Sequence, residues 1–197
     1  MRLLRSTIIA AAAVGIVSTM LLSGRNSSAQ QVGKLSKPIT IQAQAMGQST
    51  QLGQMFSVNL YIEELSTPED QKALLEAFAQ KKNEGLVNAL SKMKSKGRMS
   101  ITGTLGYDVN YIRRFDLPDG SIKLRLVTDR PLRFGEVWAD SRSSDYTLSG
   151  AEIIISRDKN KHSGTLFPAC QLKIDKQGEL QLELFQNEWK LVNIRKR

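Results

Sequence analysis

The chain has 197 residues, with 28 Lys and Arg against 19 Asp and Glu and a formal net charge of +9. A single cysteine, Cys170, excludes an intrachain disulfide, so stability has to come from packing, which a chain of this length can supply. With one histidine, His162, beside that one cysteine, a His- or Cys-rich zinc site is excluded as well.

Arg2 and Arg5 precede an uncharged apolar run from Ser6 to Leu22, and Ser27-Ser28-Ala29 follows with small residues. This is the layout of a secretory signal peptide, residues 1–29, cleaved after Ala29. The run is long for a signal core, so an uncleaved N-terminal anchor is the competing reading. No cysteine stands at its end for lipid attachment, and there are no adjacent arginines of a twin-arginine signal. The expected location is periplasmic or secreted, with membrane association only if the N-terminal segment is retained. Beyond residue 29 the chain carries 25 Lys and Arg against 19 Asp and Glu. The basic residues are dispersed in short clusters: Lys92, Lys94, Lys96 and Arg98; Arg113-Arg114; Lys159 and Lys161; and Arg195-Lys196-Arg197. For an exported protein this pattern means solubility and attraction to an anionic envelope surface rather than nucleic-acid binding.

Residues 30–37 are expected to be a flexible linker, and 38–197 a single β-rich domain with a helical insertion at 67–96. "PITIQAQAM" (Pro38–Met46) reads as the first strand. "MFSVNLYIEEL" alternates Phe56, Val58, Leu60 and Ile62 with polar residues, a half-buried strand pattern. Thr67-Pro68-Glu69-Asp70 then supplies an N-cap, a proline in the first turn and acidic residues for a helix start. Leu74, Leu75 and Phe78 mark one helix face, "NEG" (Asn83–Gly85) a break, and Leu86, Leu90 and Met93 a second helical stretch ending in lysines before Gly97. From Arg98 onward the pattern is β: "RMSITGT", "YDVNYIRRFDL", a turn at Pro118–Gly120, "SIKLRLVTD", "LRFGEVWA", "YTLSGAEIIIS", "TLFPACQLKI", "ELQLELF" and "WKLVNIRKR". In "TLFPACQLKI", alternation puts Leu166, Cys170, Leu172 and Ile174 on one face. The expected fold is α+β and mainly antiparallel β, a sandwich, barrel or curved sheet of about eight to ten strands with one helical pair packed on it.

Few chemistries survive inspection. His162 neighbours Ser163 in a turn, where the two cannot face each other as base and nucleophile, and no nucleophile elbow is present. Phosphate-binding glycine loops are missing, and "DKNK" and "DKQG" lack the acids of a calcium loop. Cys170 reads as a small buried apolar residue. The aromatic residues Phe56, Tyr61, Tyr107, Tyr111, Phe115, Phe134, Trp138 and Phe185 sit at strand-alternation positions, where core is the usual role. No catalytic residue, metal ligand or cofactor is assigned.

Convergent polarity concentrates in Val127–Gly150, "VTDRPLRFGEVWADSRSSDYTLSG". Its candidate ligand-binding residues are Arg130, Arg133, Glu136, Trp138, Arg142, Asp145 and Tyr146. Either Arg130, Arg133 and Arg142 brace the sheet end by pairing with Asp129, Asp140 and Asp145, or one arginine is left to bind an anionic ligand such as a carboxylate or lipid headgroup. The balance of acids and bases favours internal pairing. The blocks "TPEDQKALLEAF", "ALSKMKSKGRMSITGTLGYD", "PDGSIKLRLVTDRPLRFGE" and "RSSDYTLSGAEI" resemble those of uncharacterised exported proteins of environmental bacteria, which implies export and one domain but no mechanism. The functional expectation is a non-enzymatic exported domain with a binding or envelope-interaction role, its occupant a small apolar or anionic ligand. A hydrolase using the carboxylates and arginines around 129–146 and a structural envelope protein are the alternatives.

Overall fold

The computed structural model describes residues 33–132, 146–184 and 188–197. Among them the strands are β1 (Gly33–Met46), β2 (Met55–Leu65), β3 (Gly97–Ile101), β4 (Tyr107–Asp116), β5 (Ile122–Thr128), β6 (Leu148–Ile155), β7 (Ser163–Ile174), β8 (Leu180–Glu183) and β9 (Trp189–Lys196). One helix, α1 (Pro68–Lys92), lies between β2 and β3. Every pairing is antiparallel. Strands β1 to β7 pair in sequence order, β7 pairs with β9, and β9 returns to β1, so eight strands close into a barrel while β8 adds to β7 alone. Of the architectures open to an alternating β-rich chain, the barrel is the one that leaves no hydrogen-bonding edge on those eight strands.

The alternation read in the sequence decides what fills the barrel. Ile41, Ala45, Leu60, Ile62, Met99, Val109, Ile112, Leu126, Ile153, Leu166, Trp189 and Leu191 form one core, each 1 % exposed or less. The Trp189 ring meets Phe56 at 4.7 Å between centroids. Each fully buried Leu or Ile of this set contributes about 1.5–3 kcal/mol.

Four register shifts set the details, three of them in β1, β4 and β7. The first strand starts at Gly33 rather than Pro38, and its register with β2 shifts between Lys34 and Ile39. Pro38, which has no N–H to give a ladder, lies in that shift. In β4, Val109 and Tyr111 oppose the adjacent pair Thr128 and Val127, so Asn110 is an extra residue. Tyr111 thereby leaves the interior for the outer face, and its side chain is fully buried there. In β7, Phe167 and Cys170 oppose Gly150 and Leu148, which makes one extra residue at Pro168-Ala169. A one-residue bulge reverses which face the following side chains occupy. Leu166 therefore lies inside the barrel and Cys170 and Leu172 outside it, correcting the expectation that all of these share a face. Ile174, placed with them in the sequence, is 38 % exposed.

Past the bulge, β7 and β8 form a hairpin against the outer face of β4–β6. A second core collects there from Tyr111, Val127, Leu148, Phe167, Cys170, Leu172 and Leu180, and α1 completes it with Leu74, Leu86 and Leu90. Burial pushes the Cys170 thiol and the Tyr111 phenol well above their ordinary values. The helix starts as expected, with a capping box in which Thr67 Oγ1 accepts the Asp70 N–H at 3.1 Å and Asp70 Oδ2 accepts the Thr67 N–H at 2.8 Å. Within α1, Lys81 and Lys82 leave the helical region, so two helical stretches meet at a kink that falls just before the expected break at Asn83–Gly85. Gly85 stays helical and serves close approach: a Cβ there would lie 2.1 Å from the Ala77 carbonyl oxygen. The helix also stops at Lys92, short of 96, with Met93 extended at its end. Lys94 and Lys96 instead reach back, Lys94 Nζ to Glu64 at 3.0 Å and the buried Lys96 Nζ to Asp70 at 3.2 Å and Glu64 at 3.7 Å. Gly97 belongs to β3, pressed so closely on Tyr61 that a Cβ would fall 2.2 Å from its carbonyl oxygen.

Beneath the hairpin the outer face is charged. Arg113 and Arg125 are direct cross-strand partners, an arrangement that is repulsive on its own. Arg113 Nη2 donates to Glu179 at 2.7 Å, and Arg125 donates to Glu152 at 2.5 Å and to the Leu180 carbonyl. The Arg113, Lys123 and Arg125 cations also lie 5.7, 4.8 and 5.0 Å from the centroid of Phe115. Arg125→Ala should therefore lower stability by about 3 kcal/mol, since it strands a half-buried carboxylate and a buried carbonyl. Arg114→Ala, which breaks an exposed pair with Asp116, should cost less than about 1 kcal/mol. Urea denaturation of both variants checks the contrast.

Several carboxyls are held below their ordinary values: Glu64 by the Lys94 hydrogen bond, Glu183 by Lys173, Asp119 by the Ser121 N–H and Asp175 by the Glu179 N–H. Their contribution is complete above the unfolded-state carboxyl range near about 4–4.5 and is lost as pH falls through the lower folded values. Stability should thus be flat from neutral pH down to about 5 and decline below it, and Asp175→Asn should flatten part of that decline in a denaturation series against pH.

Candidate anion-binding groove

Of the residues proposed from sequence, Arg133, Glu136, Trp138, Arg142 and Asp145 lie outside the described residues, as do Phe134, Asp140 and Phe185. Arg130 and Tyr146 lie within them, and Tyr146 is half-buried. Arg130 takes both oxygens of its neighbour Asp129, Nε to Oδ1 at 2.8 Å and Nη2 to Oδ2 at 2.9 Å, which keeps the guanidinium firmly protonated. This is the pairing that the balance of charges suggests for that arginine. The strand exit itself is fixed by hydroxyls. The Arg130 carbonyl accepts from Thr128 Oγ1 at 2.5 Å and Ser149 Oγ at 2.8 Å, both fully buried, and the Leu132 N–H reaches the Pro168 carbonyl at 2.9 Å. Tyr107, Asp129, Arg130 and Pro131 line a hollow of about 460 Å³ beside it.

A larger groove, about 650 Å³, opens at the opposite end of the barrel. One wall is the β6–β7 turn, with Ser156, Arg157, Lys159, Asn160 and His162; the other is the end of β9, with Asn193, Arg195 and Lys196. Ile155 and Ile194 form the apolar part of the lining. Among the described residues, no carboxylate belongs to this lining.

Local sequence explains both walls. Asp158 accepts the Asn160 N–H at 3.0 Å and caps the one-turn 3₁₀ helix Lys159–Lys161. The Ser156 N–H donates to His162 Nδ1 at 3.1 Å, closing the turn. With Nδ1 used as the acceptor, the neutral imidazole carries its proton on Nε2. Lys161 pairs with Asp158 at 3.7 Å. The Arg157 guanidinium lies on Gly120 of the β4–β5 turn, where a Cβ would come within 2.4 Å of its Cζ, and it acts electrostatically on Asp119. In β9, Val192 and Arg195 oppose Gln44 and Gln42, so one residue is extra. Asn193 takes φ +52° there, a left-handed conformation that asparagine tolerates better than most residues, and its amide donates to Gln44 Oε1 at 2.6 Å. This kink brings Arg195 and Lys196 to the groove. Among the described residues, Lys159, Arg195 and Lys196 form no ion pair.

The two walls are joined by the β7–β9 pairing, in which Gly164 opposes Leu191. That pairing brings two short basic clusters, about 35 positions apart in sequence, into one cavity. Dispersed basic residues carry no sequence signal for this; only the strand order supplies it. Within the described residues, no cluster of three His, Cys, Asp or Glu is placed to hold a metal, and no helix is long and apolar enough to cross a membrane. Comparison with family models, with curated proteins and with solved structures finds no match to the chain.

Removing the buried hydroxyl with Thr128→Val should cost about 1–3 kcal/mol, the penalty of unpaired buried acceptors. Arg130→Ala should cost less, about 1 kcal/mol, because the guanidinium itself is largely exposed although its Asp129 partner is nearly buried. The reverse order in thermal or urea denaturation would make the guanidinium, not the hydroxyls, the brace of this strand exit.

Proposed function

We propose that the protein is an exported binding domain that captures a multiply charged anion, phosphorylated or sulfated, in the groove between the β6–β7 turn and the end of β9. The observation that carries this reading is the lining itself: Arg157, Lys159, Arg195 and Lys196 line about 650 Å³ with no carboxylate among the described lining residues. Such a volume lies in the range of small-ligand sites. Two guanidinium groups offer planar, bidentate recognition of phosphate or sulfate oxygens, and the lysines act as point charges beside them. Asn160, Asn193 and the His162 Nε2–H add neutral donors at the same rim. The reading favours binding over turnover because His162 Nδ1 already accepts a backbone N–H and no second base lines the groove. It also favours the surface over the barrel interior, which is occupied by large side chains such as Trp189, Leu60 and Ile41.

Isothermal titration with inositol hexakisphosphate and with pyrophosphate provides the test. Binding should weaken steeply as salt is raised, as expected for exposed charges. Lys159→Glu with Arg195→Glu should reduce affinity at least about tenfold without lowering the melting temperature, both side chains being exposed. Unchanged affinity in that double variant would remove the groove as the site.

A further inference from the structure

The groove lies at one particular end of the barrel. Strand β1 enters there at Gly33, opposite Leu65, and β9 leaves there at Lys196, opposite Ile41. Thr40 and Arg197 exchange backbone hydrogen bonds at 2.8 and 3.4 Å. Ile122 opposes Ile155, which sets the β4–β5 turn beside the β6–β7 turn at the same end. Exposed Lys37 and Arg197 thus lie at the same end of the barrel as Arg157, Lys159, Arg195 and Lys196. Of the acids at this end, Asp158 pairs with Lys161, Asp116 with Arg114, and Asp119 accepts from the N–H and hydroxyl of Ser121, while Glu63, next to the Ile62 that opposes Ile39, is exposed.

The apolar run of the N-terminal segment ends at Leu22, ten residues before β1 begins. Ten extended residues span at most about 35 Å. A bilayer holding that run would therefore lie within that distance of the start of β1, on the side where the cations gather. We propose that this basic end of the barrel docks on an anionic phospholipid surface, with a headgroup phosphate seated in the groove. The inference rests on the anion-binding reading and narrows it to one source of anion. Docking then continues by electrostatics whether or not the apolar run is removed, since every described strand, the helix and both cores lie within residues 33–197.

The test uses the chain from Gln30 onward, which contains every described strand, the helix and both cores, in co-sedimentation with vesicles. The vesicles are phosphatidylcholine alone, or phosphatidylcholine with about one-third phosphatidylglycerol, at low and at physiological salt. Each membrane-facing cation contributes roughly a fivefold factor near an anionic surface. Binding should appear only with the anionic vesicles and fall at least about tenfold in Lys159→Glu with Arg195→Glu. Lys81→Glu with Lys82→Glu makes the same charge change at the kink of α1, where the next residue, Asn83, donates to Gln171 at 2.7 Å, one residue past Cys170, which opposes Leu148 at the other end of β6. That variant should keep most of the binding. Equal loss in both double variants would mean that net charge, not this face, holds the vesicle, and would overturn docking. Retained binding of inositol hexakisphosphate with no vesicle binding would also overturn it while leaving the groove a site for a soluble anion. Loss of both would defeat the two readings together.

Discussion

Strand β7 has to serve two structures, and the extra residue at Pro168-Ala169 is what permits it. Before the bulge, β7 pairs with β9 and its Leu166 points into the barrel. After it, the same edge pairs with β8, and Cys170 and Leu172 face an outer core. A regular strand would keep these side chains on one face, leaving either the barrel without its seam or the hairpin without a surface to cover. Closure of the barrel, the second core and the seat of the helix all follow from that local change of parity. Pro168 marks the place chemically, because it has no N–H to lose from the ladder and its carbonyl takes the Leu132 N–H instead.

The outer layer couples polar and apolar contacts. Arg113 and Arg125 face each other across β4 and β5, and carboxylates from β6 and from the hairpin turn answer them. The hairpin supplies Glu179 and the Leu180 carbonyl as well as the Leu180 side chain, so the segment that buries oil also neutralises charge. At the helix start, Lys96 does the equivalent: a nearly buried ammonium joins Asp70 of the capping box to Glu64 of β2. In both places buried charge is tolerated because each partner comes from a different element and is fixed by its own strand or cap.

Much of the fold was legible in the sequence. Period-2 alternation located eight of the nine strands to within a few residues, and Thr67-Pro68 located the helix start. Alternation could not show the bulges, since a bulge is a disagreement between two strands and each strand alone looks regular. That is why Cys170 was grouped with Leu166, and why Tyr111 gave no sign of lying on a different face from Val109. The helix break was misplaced because Gly85 reads as a breaker, whereas its missing side chain serves packing on Ala77. The site was less legible than the fold. Composition drew attention to the stretch around Arg130, where charges are dense along the chain. The groove instead unites Lys159 with Arg195 through strand order, and no local pattern records that.

The seam between β1 and β9 also governs timing. The first strand of the barrel is completed by the last, with Met46 opposing Lys190 and Ile41 opposing Lys196. Pairing between residues so far apart in sequence is slow to form and gains nothing until β9 is present. A polypeptide emerging from a ribosome or passing through a narrow pore therefore has no way to finish this barrel early. It stays open, and able to be threaded, until β9 arrives.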